Sequence, residues 1–283
     1  MNIVVTGVKG QLGHDVVNEL NKRGYTNVLG IDIADLDITN KLDVESFFNK
    51  NKPSVIVHCA AYTAVDKAED NKDLCMTVNV EGTKNLVEIA KKYDSKIVYI
   101  STDYVFDGTK PSEYEVSDQP NPKSVYGESK YLGEIETQKH TKHFIVRISW
   151  VFGKNGQNFV KTMLRLGKER ESLNVVHDQV GSPTYTLDLS RLLVDMIETE
   201  KYGTYHATNE EICTWYEFTK EIFKLSNINI PVNPITTDQY PTKAMRPKNS
   251  RMSKQSLVNN GFEKLPSWKD ALKRYLKEIE VIE

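Results

Sequence analysis

The sequence predicts an α/β fold: a Rossmann-type, doubly wound parallel sheet followed by a smaller C-terminal α/β domain. Three observations predict it. The β-branched run Ile3-Val4-Val5 passes into a glycine-rich loop, then into Val16, Val17 and Leu20 at helical spacing. Short apolar runs then alternate with helix-periodic segments through about residue 150, as right-handed βαβ units require. From Tyr202 onward short segments, aromatics and loops replace that alternation.

The loop after the first strand is Gly7-Val8-Lys9-Gly10-Gln11-Leu12-Gly13, a GxxGxxG spacing. Glycines there allow a tight turn and let backbone N–H groups approach a pyrophosphate, and the following helix N-terminus adds partial positive charge. Strand, loop and helix in that order give the motif its weight. Thr26–Ile31 reads as the second strand and ends at Asp32. A carboxylate about twenty residues past the loop can accept hydrogen bonds from adenosine ribose hydroxyls. It would repel a 2′-phosphate, so NADH is expected over NADPH. Asp35 and Asp37 can share the task, and Asp37-Ile38 can border the adenine.

Val44–Lys50 reads as a helix, and Val55–Ala61 as a buried strand after Pro53. Ala60-Ala61-Tyr62-Thr63 then stands at a strand's carboxyl end, where small residues let a dinucleotide pass closely. Asp66, Lys67, Glu69 and Asp70 read as a solvated helix face, and Asn79 as a surface residue opening a helix with Leu86, Ile89 and Ala90. Lys96–Ile100 is a strand that runs into Ser101-Thr102-Asp103. Pro120 and Pro122 hold off the helix that carries Tyr126 and Lys130. Ile145–Ile148 is a further strand, ending in Ser149-Trp150. Val160–Leu164 and Leu187–Met196 are helical, with a short strand, Leu173–Val176, between them. Trp215–Leu225 shows core-packing helical spacing. Ile228–Thr242 reads as irregular, Arg246–Arg251 as a basic hexamer, and Ser267 as the cap of a C-terminal helix.

At 283 residues, length alone suggests two domains. The expected division is 1–150 for a dinucleotide-binding domain, with a return segment near 173–207, and 151–283 mainly for substrate. A net charge of -2 offers no field for nucleic acid or anionic lipid, and no apolar run approaches a membrane span. The three cysteines form no CxxC pair, which fits a reduced, cytoplasmic compartment, and Cys59 reads as a core residue. The six histidines form no HExxH pair, so no metal ligands are expected.

Tyr126 and Lys130, at i and i+4, share a helix face. A free phenol is a poor acid at neutrality, and a neighbouring ammonium lowers its pKa. Thr102, at a strand end, can hydrogen-bond the carbonyl oxygen that Tyr126 protonates as hydride reaches carbon. Taken with the glycine loop and Asp32, these residues point to a carbonyl reductase that uses a nicotinamide dinucleotide.

The chain resembles the extended short-chain dehydrogenase/reductase superfamily, and within it the dTDP-4-dehydrorhamnose reductase family. The matching residues are the glycine loop, Ala60–Asp66, Ser101–Gly108, Tyr126-Gly127-x-x-Lys130, Arg147-x-Ser149-Trp150, Asp178-Gln179-x-Gly181-x-Pro183-Thr184 and Arg246-Pro247-x-Asn249-Ser250. The resemblance implies hydride transfer from NADH or NADPH to C4 of dTDP-4-dehydro-6-deoxy-L-mannose, the last step of dTDP-L-rhamnose synthesis, with Tyr126 as proton donor. It implies that Gly10-Gln11-Leu12, Asp32, Asp37-Ile38 and Ala61-Tyr62-Thr63 line the cofactor, with Tyr126 and Lys130 shared, and that Asp103 and Trp150 touch the sugar. Arg246 and Arg251 are the cations a sugar diphosphate needs, or an exposed basic loop. The resemblance also admits a homodimer with Mg2+ held by acidic residues at its interface. Asp15 stands at the matching position, while Glu278, Glu280 and Glu283 are no clear match. A reductase forming another 6-deoxy-L-hexose, such as a talose, would use the same residues. The dinucleotide-binding regulatory β subunit of methionine adenosyltransferase shares the fold.

Overall fold

A computed structural model describes residues 1–282. Its centre is a six-stranded parallel sheet. The chain runs through β1 (Ile3–Thr6), α1 (Gln11–Lys22), β2 (Val28–Ile31), α2 (Lys41–Asn51) and β3 (Val55–His58). It continues through α3 (Gly82–Lys92), β4 (Lys96–Thr102), α4 (Val125–Gln138), β5 (His143–Ile148), α5 (Thr186–Ile197) and β6 (Gly203–His206). The strands lie in the order β6-β5-β4-β3-β1-β2, so the winding reverses between β1 and β3. Beyond the carboxyl ends of those two strands lies the crevice where such sheets bind ligands.

Strand alternation builds the two faces. Ile3 and Val5 of β1 turn to α1 and α5, packing with Val16, Leu20, Leu189 and Leu193. Val4 turns the other way, with Ile56 and Ile97, onto Phe48, Leu86 and Ile89. Side-chain caps start α2 at Asn40 and α4 at Ser124. The break before α4 follows from its prolines.

A third cluster joins Phe152, Tyr185, Phe218, Trp268 and Tyr275. It is built from helices Phe159–Glu169, Trp215–Leu225 and Trp268–Glu278, the last capped by Ser267 as its sequence predicts. Val232–Ile235, inside a stretch expected to be irregular, instead forms a strand parallel to Leu173–Val176. Only two strands make that sheet, so Pro234 needs no second partner for its missing N–H. The acidic face at 66–70 is likewise not simply solvated. Asp66 pairs with Arg246, Asp70 with Lys243, and Glu69 accepts from the Val125 N–H. Partners so distant in sequence leave no periodic trace.

Helix α4 lies unusually close to its neighbours. A Cβ on Gly127 would overlap the Tyr104 carbonyl oxygen. A Cβ on Gly133 would overlap the Tyr99 hydroxyl and lie 2.9 Å from the Asn79 carbonyl oxygen. The Tyr99 hydroxyl also donates to the Lys130 carbonyl at 3.1 Å. We therefore expect Gly133→Ala to destabilise the fold by about 1–3 kcal/mol, the scale of core overpacking. Chemical denaturation measures it, and an unchanged midpoint would mean that α4 can retreat freely.

Candidate active site

The site begins where β1 ends. Gly7 turns at φ +71°, and a Cβ there would meet the Ala60 nitrogen at 2.7 Å. Gly13 packs under the same turn, where a Cβ would overlap the Gly7 carbonyl. Gly10 is the N-cap of α1 and no side chain caps that helix. Its first-turn N–H groups and dipole thus face the cleft without a protein carboxylate or hydroxyl on them, a cradle that fits a pyrophosphate. Asp32 closes the loop from β2, accepting from the Lys9 N–H at 3.0 Å and the Ile33 N–H at 2.9 Å. Asp35 accepts from the Asp32 N–H and Asp37 from Thr39.

One cleft of about 780 Å³ runs from this cradle across the sheet ends. Its walls include Gly7, Gly10, Gln11, Leu12, Gly13, Asp32, Asp37, Ile38, Ala61, Tyr62 and Thr63. Thr102, Asp103, Tyr126, Lys130 and Trp150 share it. Asp35 is not on its wall, while Cys59, expected in the core, is.

Burial pushes the Tyr126 phenol above its ordinary range, with a hydrogen bond from Thr102 the main opposing influence. Burial also pushes Lys130 down, to about 7. Its ammonium lies 4.1 Å from the centroid of the Tyr99 ring. The expected lowering of the phenol pKa by a standing ammonium is therefore corrected: desolvation biases both groups toward their neutral forms.

Thr102 donates to Asp103 at 2.9 Å and accepts from the Tyr104 N–H. A hydroxyl carries one proton, so Thr102 serves either Asp103 or the Tyr126 oxygen at a time. Asp103 is buried, also accepts from Ser250 at 2.5 Å, and is pushed up to about 6, chiefly by desolvation.

Trp150 leaves β5 with φ +50°, a strained conformation for a bulky residue. Its ring stacks on Trp215 with centroids 3.8 Å apart. Gly181 lies beneath it, where a Cβ would come within 3.0 Å of the indole. Trp215 is itself fixed by donating to Gln179 at 3.1 Å. The Asp178–Thr184 block thus builds the seat of Trp150.

The two arginines differ. Arg246 pairs with Asp66 at 2.8 Å and reaches the Tyr104 hydroxyl at 3.5 Å, so it stands behind a cleft wall. Arg251 is turned away, donating to Asn249 at 2.7 Å and to the Pro111 carbonyl at 2.6 Å. Its guanidinium is committed to a loop, which corrects its placement as a diphosphate ligand.

Other contributors escaped the sequence. Asn79, expected on the surface, is buried in a π-helical turn, Thr77–Glu81. It accepts from the Tyr62 N–H at 2.8 Å and donates to the Tyr62 carbonyl and to Ser129. Helical spacing alone gave no signal for it. Trp215 read as core for the same reason. Tyr104 and Ser250 sit inside legible motifs, but beside the residues that drew attention. Asn155 donates to the carbonyls of Lys9 and Gly10, pinning the 153–158 loop over the glycine loop.

Among the described residues no three His, Cys, Asp or Glu side chains converge as a metal site. Asp15 accepts from Thr186 and Glu278 from Tyr185, and Glu278 stands near enough to help raise the Asp15 pKa, behind desolvation as the main cause. Glu283 lies outside the described residues. No helix is long and apolar enough to cross a membrane.

A family model described as the RmlD substrate binding domain matches residues 1–281. A dTDP-4-dehydrorhamnose reductase of Aggregatibacter actinomycetemcomitans is 44% identical, over 96% of this chain and 97% of that one. The crystal structure of a dTDP-4-dehydrorhamnose reductase from Clostridium acetobutylicum superposes with a TM-score of 0.96 at 44% identity, covering 99% of this chain and 100% of that one. The Bacillus anthracis enzyme of the same name, solved in complex with NADP, gives 0.95 at 45%, covering 98% and 100%. The fold, the cleft and these likenesses over nearly the whole length agree: this chain belongs to the RmlD family, alongside the dTDP-4-dehydrorhamnose reductases.

Proposed function

We propose that the chain reduces the C4 keto group of dTDP-4-dehydro-6-deoxy-L-mannose to give dTDP-L-rhamnose, using NADH or NADPH. One observation carries the reading: the dinucleotide cradle, the Thr102–Tyr126–Lys130 group, and Asp103 with Trp150 all open on a single cleft.

A nicotinamide dinucleotide held at its pyrophosphate by the Gly7–Gly13 loop would supply the hydride. Tyr126 gives its phenolic proton to the C4 oxygen as negative charge builds there. Its raised pKa keeps that proton in place at neutral pH. Lys130 in its protonated form stabilises the phenolate left behind. Thr102 swings its donor from Asp103 to the substrate oxygen. Asp103 accepts from a sugar hydroxyl, and Trp150, held by Trp215, offers an apolar face to the ring. Arg246, paired with Asp66 behind the cleft wall, would serve as the diphosphate cation only by turning into the cleft. The division into 1–150 for cofactor and 151–283 mainly for sugar nucleotide belongs to the same reading, as do a cytoplasmic setting and a homodimer.

We expect Tyr126→Phe to keep the fold and lose roughly 10²- to 10⁴-fold in rate. NAD(P)H consumption with the dTDP-keto sugar measures it, with mass spectrometry and NMR identifying the hexose formed. Turnover near wild type would remove Tyr126 from its role, and a talose product would displace the rhamnose assignment.

Asp32→Ala should narrow any preference for NADH over NADPH, read as the ratio of kcat/KM. It should also weaken both cofactors, because the Lys9 N–H loses its acceptor. An unchanged ratio would move the ribose contact to Asp37.

Asp103 gives a pH signature. Its ionised form accepts from the sugar, so KM for the sugar should fall as pH rises through about 6. Ser250→Ala removes a hydrogen bond that favours the carboxylate, so the inflection should move upward. Stability runs the other way. Between the ordinary 3.8 and about 6 the folded chain holds a proton that the unfolded chain has released, so this group's contribution falls with rising pH. An inflection near the ordinary carboxylate value in both proteins would overturn the assignment.

A further inference from the structure

Helix α4 carries Tyr126, Lys130 and Glu134 at i, i+4 and i+8 along one face. The first two reach the cleft. Glu134 lies one turn deeper, fully buried. Its carboxylate accepts from the Ser101 hydroxyl at 2.5 Å and from Arg147 at 2.8 Å and 2.7 Å, a bidentate pair. Ser101 and Arg147 stand opposite one another on β4 and β5, and Arg147 stands opposite His206 on β6. The guanidinium is 3.4 Å from the His206 ring nitrogen and lies over the Phe106 ring. One polar row therefore crosses three strand ends and is bolted to α4 by a single carboxylate.

Such a pair is a poor stability device, because desolvating both charges offsets most of their attraction. Its placement suggests another use. Ser101 immediately precedes Thr102, so Glu134 grips the strand that carries Thr102 and the helix that carries Tyr126. It is also a carboxylate one turn from Lys130. The other titratable groups around that ammonium are His58 and Cys59 from the end of β3, Cys75 from the short helix Lys72–Met76, Tyr99 from β4, and Tyr126. Among the described residues Glu134 is the one carboxylate that acts on it, and the largest influence opposing the burial of its charge.

We propose that Glu134, paired with Arg147, is a positioning residue for the reduction: it fixes Tyr126 against Thr102 and holds Lys130 as an ammonium. The assignment rests on the reaction proposed above. In Glu134→Gln, Lys130 loses its carboxylate and the charge of Arg147 is left unpaired, and both changes disfavour the ammonium.

The test uses Glu134→Gln, Glu134→Asp and the apolar double variant E134M/R147M, which keeps the site filled if the single variants fold poorly. For Glu134→Gln, kcat should fall about 10- to 100-fold, the cost of a misplacement near 1 Å, with KM for both substrates close to wild type. The alkaline limb of the kcat–pH profile should move to lower pH. Glu134→Asp should return that limb toward wild type while kcat stays low. E134M/R147M should fold with low kcat and a low alkaline limb. Lys130 itself can be followed without turnover, by NMR of ¹³Cε-labelled lysine, and should titrate lower in Glu134→Gln and in E134M/R147M. A double variant with wild-type kcat, or a Lys130 titration unmoved in Glu134→Gln, would overturn the proposal. A wild-type protein that binds cofactor but does not reduce the sugar would sink the reaction instead, and the Lys130 titration would still decide the electrostatic claim.

Discussion

The proposed proton donor, Tyr126, sits on a helix and its hydroxyl partner, Thr102, on a strand, so the proposed chemistry depends on how closely α4 can lie on β4. Two absent side chains set that distance. Gly127 passes against the Tyr104 carbonyl and Gly133 against the Tyr99 hydroxyl, with no room for a methyl group at either. Tyr99 then donates to the Lys130 carbonyl, which fixes the helix along its axis as well as toward the sheet. Gly127 follows Tyr126 directly, so the phenol stands where the backbone passes closest to Tyr104 beyond the strand end.

The C-terminal segment finishes what the sheet begins. Residues 246–251 read as a loose cluster of cations, yet several of their side chains are tied to residues far back in the chain. Ser250 donates to the buried Asp103, and Asn249 donates to the carbonyls of Lys110 and Ser112. Gly108, at φ +75°, leaves the gap that Pro247 fills. Lys248 pairs with Asp178 and Arg246 with Asp66 at the periphery. The exposed pairs contribute little stability, so the buried Ser250–Asp103 bond and the backbone contacts carry the junction. The segment thus backs the cleft through Asp103, which belongs to the cleft and the joint together.

The fold was legible where local signals agree. A β-branched run, a glycine loop and a helix in sequence gave the switch point of the sheet, and Tyr126 and Lys130 announced themselves by spacing. Legibility ended where meaning lies in distant partners. Asn79 looks like a surface helical residue until its turn is seen to clamp the Tyr62 backbone. Trp215 keeps core-like spacing and yet stacks on Trp150. Arg251 has the right charge but the wrong heading. Gly203–His206 carries too few apolar residues to stand out, because an edge strand needs less burial than a central one. The direction of the Tyr126 shift was beyond reach for a related reason: spacing reveals a neighbouring charge but not how dry the site is.

Dryness itself gives the site a direction. Burial raises Tyr126 and Asp103 and lowers Lys130, so each group drifts toward the form without charge. A protonated phenol is the form that can give a proton to a carbonyl oxygen, which is what the proposed reduction requires. Oxidation of an alcohol would need the phenolate, which the same surroundings disfavour. Lys130 then has a specific part. It need not hold the phenol ionised beforehand. In the proposed reaction it has only to gain strength as the proton leaves, when a phenolate joins Glu134 as a second negative neighbour. Stabilisation that grows with the charge of the transition state, and is weak before it, is what lowers a barrier rather than merely binding a substrate.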